Sequence, residues 1–271
     1  LTHGVHHQSE DYNLAVALRQ PWFTQVYDWL FYVPLALLGV PAIVFITCYS
    51  LNLLYQFWIH TQLIDTMGAF ERVFNTPSHH RVHHGTNPEY IDKNYAGILI
   101  IWDRFFGTFE QESATPVYGI LKPLRRWNPL WANVGPWVLL ARQGAQMKRW
   151  RDKLWLWLAP PEWTPAGSQA PAPSFPAEGY GYDADVPRSF HVYILAHFAP
   201  VSLATTVILL FKDTLPSTPV AIGLGLMMWT VVVWGVLFDH GKWAVPLELS
   251  RLLTLAAVSI LAATIWGGAW L

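Results

Sequence analysis

Three long apolar runs near the C-terminus constrain the fold of this chain more than any other feature. Short polar breaks separate them, and they cover about Phe190–Phe211, Pro219–Phe238 and Leu247–Trp270. A helix that spans a bilayer needs about 20 apolar residues, and only helices or closed barrels satisfy their backbone groups inside lipid. Buried helices of a large soluble protein are the alternative, but three such runs in succession favour transmembrane helices. We therefore predict an all-α, multi-spanning integral membrane protein.

The composition of the 271-residue chain agrees with this prediction. Hydrophobic residues make up 53% of the chain and charged residues 13%, and the 16 tryptophans are typical of membrane interfaces. The net charge of −1 argues against nucleic acid as a partner. Cys48 is the only cysteine, which excludes a disulfide within the chain.

An earlier apolar stretch, about residues 22–59, is too long for one span, and Gly39 and Pro41 interrupt it. We predict two helices that form a membrane hairpin, with Pro34 bending the first. Residues 160–189 are rich in Pro, Gly and Ala and are predicted to be a linker. The predicted organisation is a first region over residues 1–159, this linker, and three transmembrane helices over residues 190–271.

Two histidine clusters carry most of the functional information. The segments His3-Gly4-Val5-His6-His7 and His80-Arg81-Val82-His83-His84 each place histidines at i, i+3 and i+4, on one face of a helix. Thr76 can cap the second helix, Pro77 can occupy its first position and Gly85 can end it. Two matching triplets suit a metal centre better than packing, and a pH-sensing histidine patch is the alternative.

The two triplets can share a metal site only if they lie on the same side of the membrane. The chain between them must therefore form a re-entrant hairpin or cross an even number of times. Thirteen of the 17 Lys and Arg residues fall between Arg72 and Arg188, which by the positive-inside tendency predicts a cytoplasmic cap of helices that holds the site. The basic, Trp-rich stretch 148–158 is predicted either to lie along lipid headgroups or to be a solvated basic face.

The ligand chemistry narrows the kind of site. Imidazole suits Zn, Cu, Fe and Ni, and the lack of cysteine near the clusters disfavours a structural zinc finger. An HExxH protease motif and a Glu-x-x-His di-iron bundle are also absent from the sequence. A histidine-rich, non-haem site remains, with two metals or with one metal and redundant ligands. Its apolar surroundings would suit oxygen activation and attack on a lipid C–H bond.

The clusters and their flanking segments resemble the fatty acid hydroxylase/sterol desaturase superfamily of integral-membrane di-iron oxygenases. The resemblance is dense over about Thr2–Glu112 and continues weakly into the C-terminal helices. It is carried by the segments His6–Gln20, Leu54–Thr61, Asn75–Gly85, Ile91–Gly97 and Ile101–Glu110.

The resemblance implies eight metal-binding histidines, in an HxxxH-type motif followed by two HxxHH motifs. Six histidines match the two HxxHH motifs and are the predicted catalytic residues and metal ligands: His3, His6, His7, His80, His83 and His84. The first motif is expected just before Leu1, so the chain is expected to be the later part of a longer protein. His60 is a further predicted metal ligand, with a hydrogen-bonding role as the alternative.

Four residues near the last motif are predicted to support the ligands without binding metal: His79, Asp92, Asn94 and Tyr95. Turn and capping chemistry is the alternative for the last three.

The function that the resemblance implies is that of an O2-dependent, non-haem monooxygenase with two iron ions, which makes residues 1–159 the catalytic region. The expected reaction is hydroxylation of a lipid C–H bond, first of all the ether-linked alkyl carbon of an alkylglycerol. Tetrahydrobiopterin is the implied electron donor, although no residue identifies a pterin pocket.

The sequence also allows other substrates, other electron donors and a protein that is not an enzyme. A sterol, carotenoid or fatty acyl chain could be the substrate, with a ferredoxin or cytochrome system as the donor. A non-catalytic membrane metal-binding or transport protein is the alternative of another class, and it would place ligands inside the spans. The host membrane, bacterial inner membrane or endoplasmic reticulum, and the oligomeric state are open.

Overall fold

A computed structural model describes residues 2–160, 163–165, 181–183 and 185–267. Eleven α-helices lie in these residues: α1 (His3–His7), α2 (Leu14–Ala17), α3 (Trp29–Leu37), α4 (Ala42–Trp58), α5 (Pro77–His84), α6 (Ile101–Phe106), α7 (Pro129–Gln146), α8 (Trp150–Trp155), α9 (Arg188–Phe211), α10 (Ser217–Phe238) and α11 (Ala244–Gly267). Short 3-10 helices cover Thr24–Val26, Gly68–Arg72 and Pro88–Tyr90. Within the described ranges there is no β-strand, only an isolated bridge between Gly85 and Tyr118. The all-α prediction is confirmed.

The chain divides into two compact units. The first comprises residues 1–124 and 133–182, and the second comprises residues 125–132 and 183–271. The predicted linker, residues 160–189, falls largely on positions 161–162, 166–180 and 184, which lie outside the described residues. The predicted domain boundaries therefore stay a prediction.

Two helices of the first unit, α3 and α4, occupy the apolar stretch of residues 22–59. The chain turns between them at Gly39, whose φ of 78° lies in the left-handed region that favours glycine. Tyr32 of α3 packs against Phe45 and Tyr49 of α4, with ring centroids 4.8 and 5.9 Å apart. At 1.5 Å per residue α3 is about 14 Å long, which is too short to cross a hydrocarbon core of about 30 Å.

The second unit is built on three helices that are long and apolar enough to cross a membrane: Arg188–Phe211, Ser217–Phe238 and Ala244–Thr264. Helix α10 packs against both α9 and α11. A buried ion pair joins Arg251 to Glu248 one turn earlier in α11, and Glu248 accepts a hydrogen bond from Tyr193 of α9. The polar contacts therefore tie α11 to α9 inside a predominantly apolar bundle.

Helix α5, which carries the second histidine triplet, begins and ends at the predicted residues. Pro77 lies in its first turn, where a missing N–H removes no helix hydrogen bond. The predicted cap is wrong in detail, because Thr76 occupies the N-cap position without bonding a helix N–H. Its hydroxyl donates instead to Glu71 at 3.1 Å and lies 3.0 Å from the hydroxyl of Ser78. The start of α5 is thereby held by a neighbouring carboxylate.

Gly85 ends α5 in an extended conformation. Because it has no side chain, the Tyr90 ring can pack closely against its backbone. A Cβ at this position would lie 2.6 Å from Cδ2 of Tyr90 and 3.2 Å from the Val82 carbonyl oxygen. Tyr90 is buried, and its hydroxyl donates to the Ala114 carbonyl and accepts from the backbone N–H of Ser113. The ring is therefore not free to move away from a larger residue.

We expect Gly85→Ala to destabilise the protein by about 1–3 kcal/mol, the range for overpacking a dense site. Thermal unfolding in detergent measures the change. Gly4→Ala is the matched control, because a Cβ at Gly4 has nothing within 4 Å and alanine is the better helix former. Equal destabilisation by both substitutions would contradict the argument from close contact.

Candidate metal centre

Seven histidines from three parts of the first unit converge. Helices α1 and α5 contribute the two predicted triplets, and His60 follows the C-terminal end of α4. Their ring nitrogens form two groups, each with its ligand atoms within 4.8 Å of one another: His6, His60, His80 and His84 in the first group, and His3, His7 and His83 in the second group. Each triplet is divided between the groups, so neither group can form without both α1 and α5.

The first group is buried. None of its four histidines is more than 6% exposed. The Nε2 atom of His60 lies 3.1 Å from the Nε2 atoms of both His6 and His80. The ring of His84 lies edge-on to those of His6 and His80, with centroids 4.7 and 4.8 Å away. Four imidazoles thus surround one small volume that water does not reach.

Hydrogen bonds to the backbone assign the proton on two of these rings. The Nδ1 atom of His60 donates to the Gln56 carbonyl at 2.6 Å, and the Nδ1 atom of His6 donates to the Arg19 carbonyl at 3.2 Å. In a neutral imidazole the other nitrogen then carries the lone pair. The two Nε2 atoms, 3.1 Å apart, therefore face each other with lone pairs, which is repulsive unless a cation lies between them. The buried Nε2 atom of His84 has no hydrogen-bond partner within the described part of the chain.

The second group has three histidines and is more open. His3 is exposed, and His7 and His83 are half-buried. The Nε2 atom of His3 lies 2.9 Å from that of His7 and 3.3 Å from that of His83. The Nδ1 atom of His83 lies 3.4 Å from the Lys93 carbonyl oxygen, which leaves Nε2 to face the group. Three histidines on an open side would leave coordination positions free on a bound metal ion, as in catalytic metal sites.

Desolvation by the surrounding protein favours the neutral form of the seven imidazoles, including that of His3, whose residue is otherwise exposed. Burial, reinforced by the neighbouring His60, lowers the pKa of His6 to about 3. Burial, reinforced by His3, lowers the pKa of His83 to about 4. Burial is also the main cause that lowers the pKa values of the other five histidines. Neutral imidazole is the form that binds a metal ion, so the site is preset for ligation.

Arg81 fastens the ligand helix α5 to the segment that follows His60. Its guanidinium pairs with both carboxylate oxygens of Glu112, at 2.8 and 2.6 Å. The same group donates, at 2.7 to 3.1 Å, to the backbone carbonyls of Thr61, Ile64 and Asp65. All five N–H donors of the side chain are thus used. Because Arg81 adjoins His80 and Thr61 adjoins His60, this clamp holds two of the clustered histidines at a set separation.

Two stacked tyrosines lie against the buried group. Tyr12 is 3% exposed and packs on the rings of His60 and His84, with centroids 5.6 and 5.2 Å away. The ring of Tyr118 stacks on Tyr12 at 4.8 Å with an interplanar angle of 11°. Burial raises the pKa of both hydroxyls, so both are neutral phenols. The stack is a continuous aromatic path from His60 to Tyr118.

His79 and Asn94, two of the predicted supporting residues, act on α5 itself. The ring of His79 packs edge-on against Phe109, with centroids 5.3 Å apart. The amide of Asn94 donates to the backbone carbonyls of His79 and Glu110, at 3.1 and 2.8 Å. Asn94 therefore anchors the helix backbone rather than an imidazole N–H.

Asp92 and Tyr95, the other two, lie beside the second group. Asp92 accepts a hydrogen bond from the Tyr95 hydroxyl at 3.1 Å, and the Tyr95 ring lies 6.2 Å from that of His83. The contact with the Nδ1 atom of His83 comes from the backbone carbonyl of Lys93 in the same segment. The segment is the expected one, and a supporting role of its side chains stays a prediction.

The residues that orient the imidazoles were missed by the sequence analysis. Three of the orienting groups are the backbone carbonyls of Arg19, Gln56 and Lys93, which leave no signature in residue type. Arg81 did carry a signal, because a charged residue inside a buried ligand motif requires a partner such as Glu112. No comparable signal marks Tyr12.

The part of the chain that carries the histidine groups is similar to known proteins. Residues 1–108 match the sequence profile of the fatty acid hydroxylase family. The chain is 39% identical to alkylglycerol monooxygenase of Xenopus tropicalis over 93% of its own length and 57% of that protein. It is also 39% identical to the Danio rerio protein of that name, over 92% of this chain and 56% of the relative.

A shorter match has a higher identity. Alkylglycerol monooxygenase of Homo sapiens is 55% identical over 128 residues, which are 47% of this chain and 28% of that protein. The chain spans a little over half the length of the Xenopus and Danio relatives. No solved structure matches the chain.

The stability of the metal-free protein should begin to fall with acid below about pH 6.5, before most carboxylates are protonated. The folded pKa values of His6 and His83 lie well below 6.5, so the unfolded chain binds more protons as the pH falls below 6.5. Stability should therefore be complete above about pH 6.5 and be lost progressively towards about pH 4.

Thermal unfolding of the metal-free protein in detergent, measured across this pH range, tests the expectation. His80→Asn removes one buried imidazole and should flatten the dependence on pH. His191→Asn, in α9 and outside both groups, should leave it unchanged. A profile of the original chain that stays flat between pH 6.5 and about pH 4 would contradict the expectation.

Proposed function

We propose that the seven clustered histidines bind two iron ions and that the protein is an O2-dependent lipid monooxygenase, because residues 1–108 match the fatty acid hydroxylase family. The observation that carries the proposal is the convergence of ring nitrogens from α1, α5 and His60 into two adjacent groups. Imidazole suits several metals, and the family favours iron among them.

The donor set fits two metal ions. The first group offers lone pairs that face each other and a buried His84 nitrogen without a partner, and the second group offers three converging Nε2 atoms. Neither group includes a cysteine or a carboxylate. The rings of His7 and His84 stack at 4.1 Å, so the two groups touch. His6, His60, His80 and His84 would hold one ion, and His3, His7 and His83 the other.

Bound iron would supply the activation of O2. In the proposed reaction one oxygen atom enters a C–H bond as a hydroxyl group and the other leaves as water. The chain contributes the geometry: the buried first group keeps water out, and the open second group gives access to O2 and substrate. His83 and His3 stand at this open side, which is where the lipid would approach.

An apolar pocket beside the second group supports a lipid substrate. The cavity measures about 330 Å³, and Tyr95, Trp102 and Phe106 form much of its lining. Trp102 is 55% exposed and Phe106 is 70% exposed, so helix α6 presents aromatic side chains outward. Aromatic residues of this kind are common at membrane interfaces. We propose that an alkyl chain enters here from the bilayer and reaches the side of the site where Tyr95 lies near His83.

The proposed substrate is an alkylglycerol, in keeping with the name of the Xenopus and Danio relatives. Hydroxylation of the ether-linked alkyl carbon would give a hemiacetal, which collapses to a fatty aldehyde and a glycerol derivative. Tetrahydrobiopterin is the proposed electron donor. It would supply two electrons and two protons for each turnover.

The proposed location is a cytoplasmic cap on an integral membrane protein. Three helices of the second unit are long and apolar enough to cross a bilayer. The short α3 supports a re-entrant hairpin, which would return the chain to the side from which it entered. The concentration of Lys and Arg between Arg72 and Arg188 supports a cytoplasmic site.

Metal content tests the two-ion proposal. The full chain, loaded anaerobically with Fe(II), should carry two irons per chain by mass spectrometry of the metal. His84→Asn and His83→Asn each remove a ligand from a different group, so each should lower the iron content towards one. His191→Asn is the matched control and should retain two. An iron content that neither ligand substitution changes would refute the assignment.

Activity tests the proposed reaction. Iron-loaded protein in lipid nanodiscs should convert an alkylglycerol to a fatty aldehyde only when tetrahydrobiopterin and O2 are present. His83→Asn should abolish aldehyde formation, because the open group would lose one of its three ligands. Turnover that depends on a ferredoxin system and ignores the pterin would contradict the proposed donor.

A further inference from the structure

A second cavity of the first unit lies beside the Arg81–Glu112 clamp. It measures about 420 Å³, and most of its lining residues are polar or charged, in contrast to the apolar pocket next to the second histidine group; we call it the polar cavity. Its lining includes Gln62, Asp65, Tyr118 and the clamp residues. A volume of this size falls at the small end of ligand-binding sites, and Gln62 and Asp65 are exposed at its mouth. A small water-borne molecule can therefore reach it.

The wall of this polar cavity is also the end of the tyrosine stack. Tyr118 lines the cavity and stacks on Tyr12, and Tyr12 packs on His60 and His84 of the buried histidine group. The backbone of Tyr118 pairs with Gly85, directly after the last ligand of α5. One aromatic ring, that of Tyr12, thus lies between the Tyr118 wall of the cavity and the nearest histidines.

The charges of the lining restrict the ligand. All N–H donors of the Arg81 side chain bond to Glu112 or to three backbone carbonyls, and the charge of Glu112 is balanced by that of Arg81. No residue in the described part of the chain donates a hydrogen bond to the Asp65 carboxylate. The cavity therefore presents one uncompensated negative charge, which repels phosphate groups and attracts N–H donors. A phosphate-bearing nucleotide cofactor is also large for this volume.

We infer that the polar cavity binds the electron donor, a small, planar, phosphate-free heteroaromatic reductant rich in N–H groups, and that the Tyr118–Tyr12 stack connects it to the buried histidine group. The inference rests on the proposed function, which requires a donor. Tetrahydrobiopterin, the donor proposed above, meets this chemical description and serves as the probe.

The electron balance agrees with one donor molecule per turnover. Hydroxylation reduces O2 by four electrons, two from the C–H bond that is oxidised to C–OH and two from the donor. The donor gives up two electrons and two protons and leaves oxidised. The second oxygen atom leaves as water, so no further oxidant or reductant is needed.

Direct binding tests the cavity without any turnover. The full chain without iron, in nanodiscs and under anaerobic conditions, should bind tetrahydrobiopterin with one saturable site by calorimetry. Asp65→Asn should raise the Kd about 10- to 100-fold, as expected for the loss of one hydrogen bond to a charged group. Glu89→Gln removes an exposed charge outside the cavity and should leave the Kd unchanged. FMN and NADPH, which carry phosphates, should not compete.

Reduction of the metal tests the stack. Tetrahydrobiopterin should reduce the ferric protein under anaerobic conditions. The loss of the absorption and electron spin resonance signals of the ferric iron measures this reduction. Tyr118→Leu should abolish this reduction within the time that the original chain needs, whereas Tyr118→Phe should keep it. Dithionite, which needs no binding site, should reduce both variants equally, and iron content should be the same in both.

The outcomes separate this inference from the proposed function. Pterin-dependent lipid turnover with an unchanged Kd in Asp65→Asn would overturn the inference and leave the function standing. Absence of pterin binding, or equal reduction of Tyr118→Leu and the original chain, would likewise overturn it. A third outcome would support the inference and contradict the proposed function. In it, pterin binding depends on Asp65 and iron reduction depends on Tyr118, but no lipid is converted.

Discussion

The structure of the first unit depends on a cluster of neutral imidazoles that is unfavourable on its own. The proton assignments of His60 and His6 turn two lone pairs towards each other at 3.1 Å. A hydrophobic core needs no such arrangement, and a hydrogen-bonded core would alternate donors with acceptors. Contacts around the cluster hold the imidazoles together against the repulsion between their lone pairs. Arg81 clamps α5 to the segment after His60, and Asn94 binds the backbone of the same helix.

The two sides of this cluster differ in polarity. Near the more open group lies an apolar cavity with outward-facing aromatic residues, and near the buried group lies a polar cavity with one uncompensated carboxylate. A lipid and a water-borne molecule would approach through different openings, so neither would need to pass the other. The arrangement also keeps the charged lining away from the path proposed for the alkyl chain.

The sequence predicted the helical class, the three apolar helices of the second unit and the histidines that converge, because apolar run length and i, i+3, i+4 spacing are local patterns. It did not predict that each triplet divides between two groups. That division depends on how α1 and α5 face each other, which is a relation between positions about 77 residues apart. The predicted side-chain cap by Thr76 does not form, and the Thr76 hydroxyl instead donates to Glu71, five residues earlier in the chain. The carbonyls of Gln56 and Lys93 that orient the imidazoles could not be predicted, because every residue type has a backbone carbonyl.

The division of the triplets has a consequence for how the protein is made. Because His6 and His7 belong to different groups, and His83 and His84 do as well, no half-site is available to a nascent chain. Under the proposed two-metal assignment, neither set of ligands is complete until α5 has left the ribosome and the segment between the two helices has folded back. In the proposed protein, folding of that segment would have to precede acquisition of metal, and a chain arrested before this step would expose imidazoles but hold no metal.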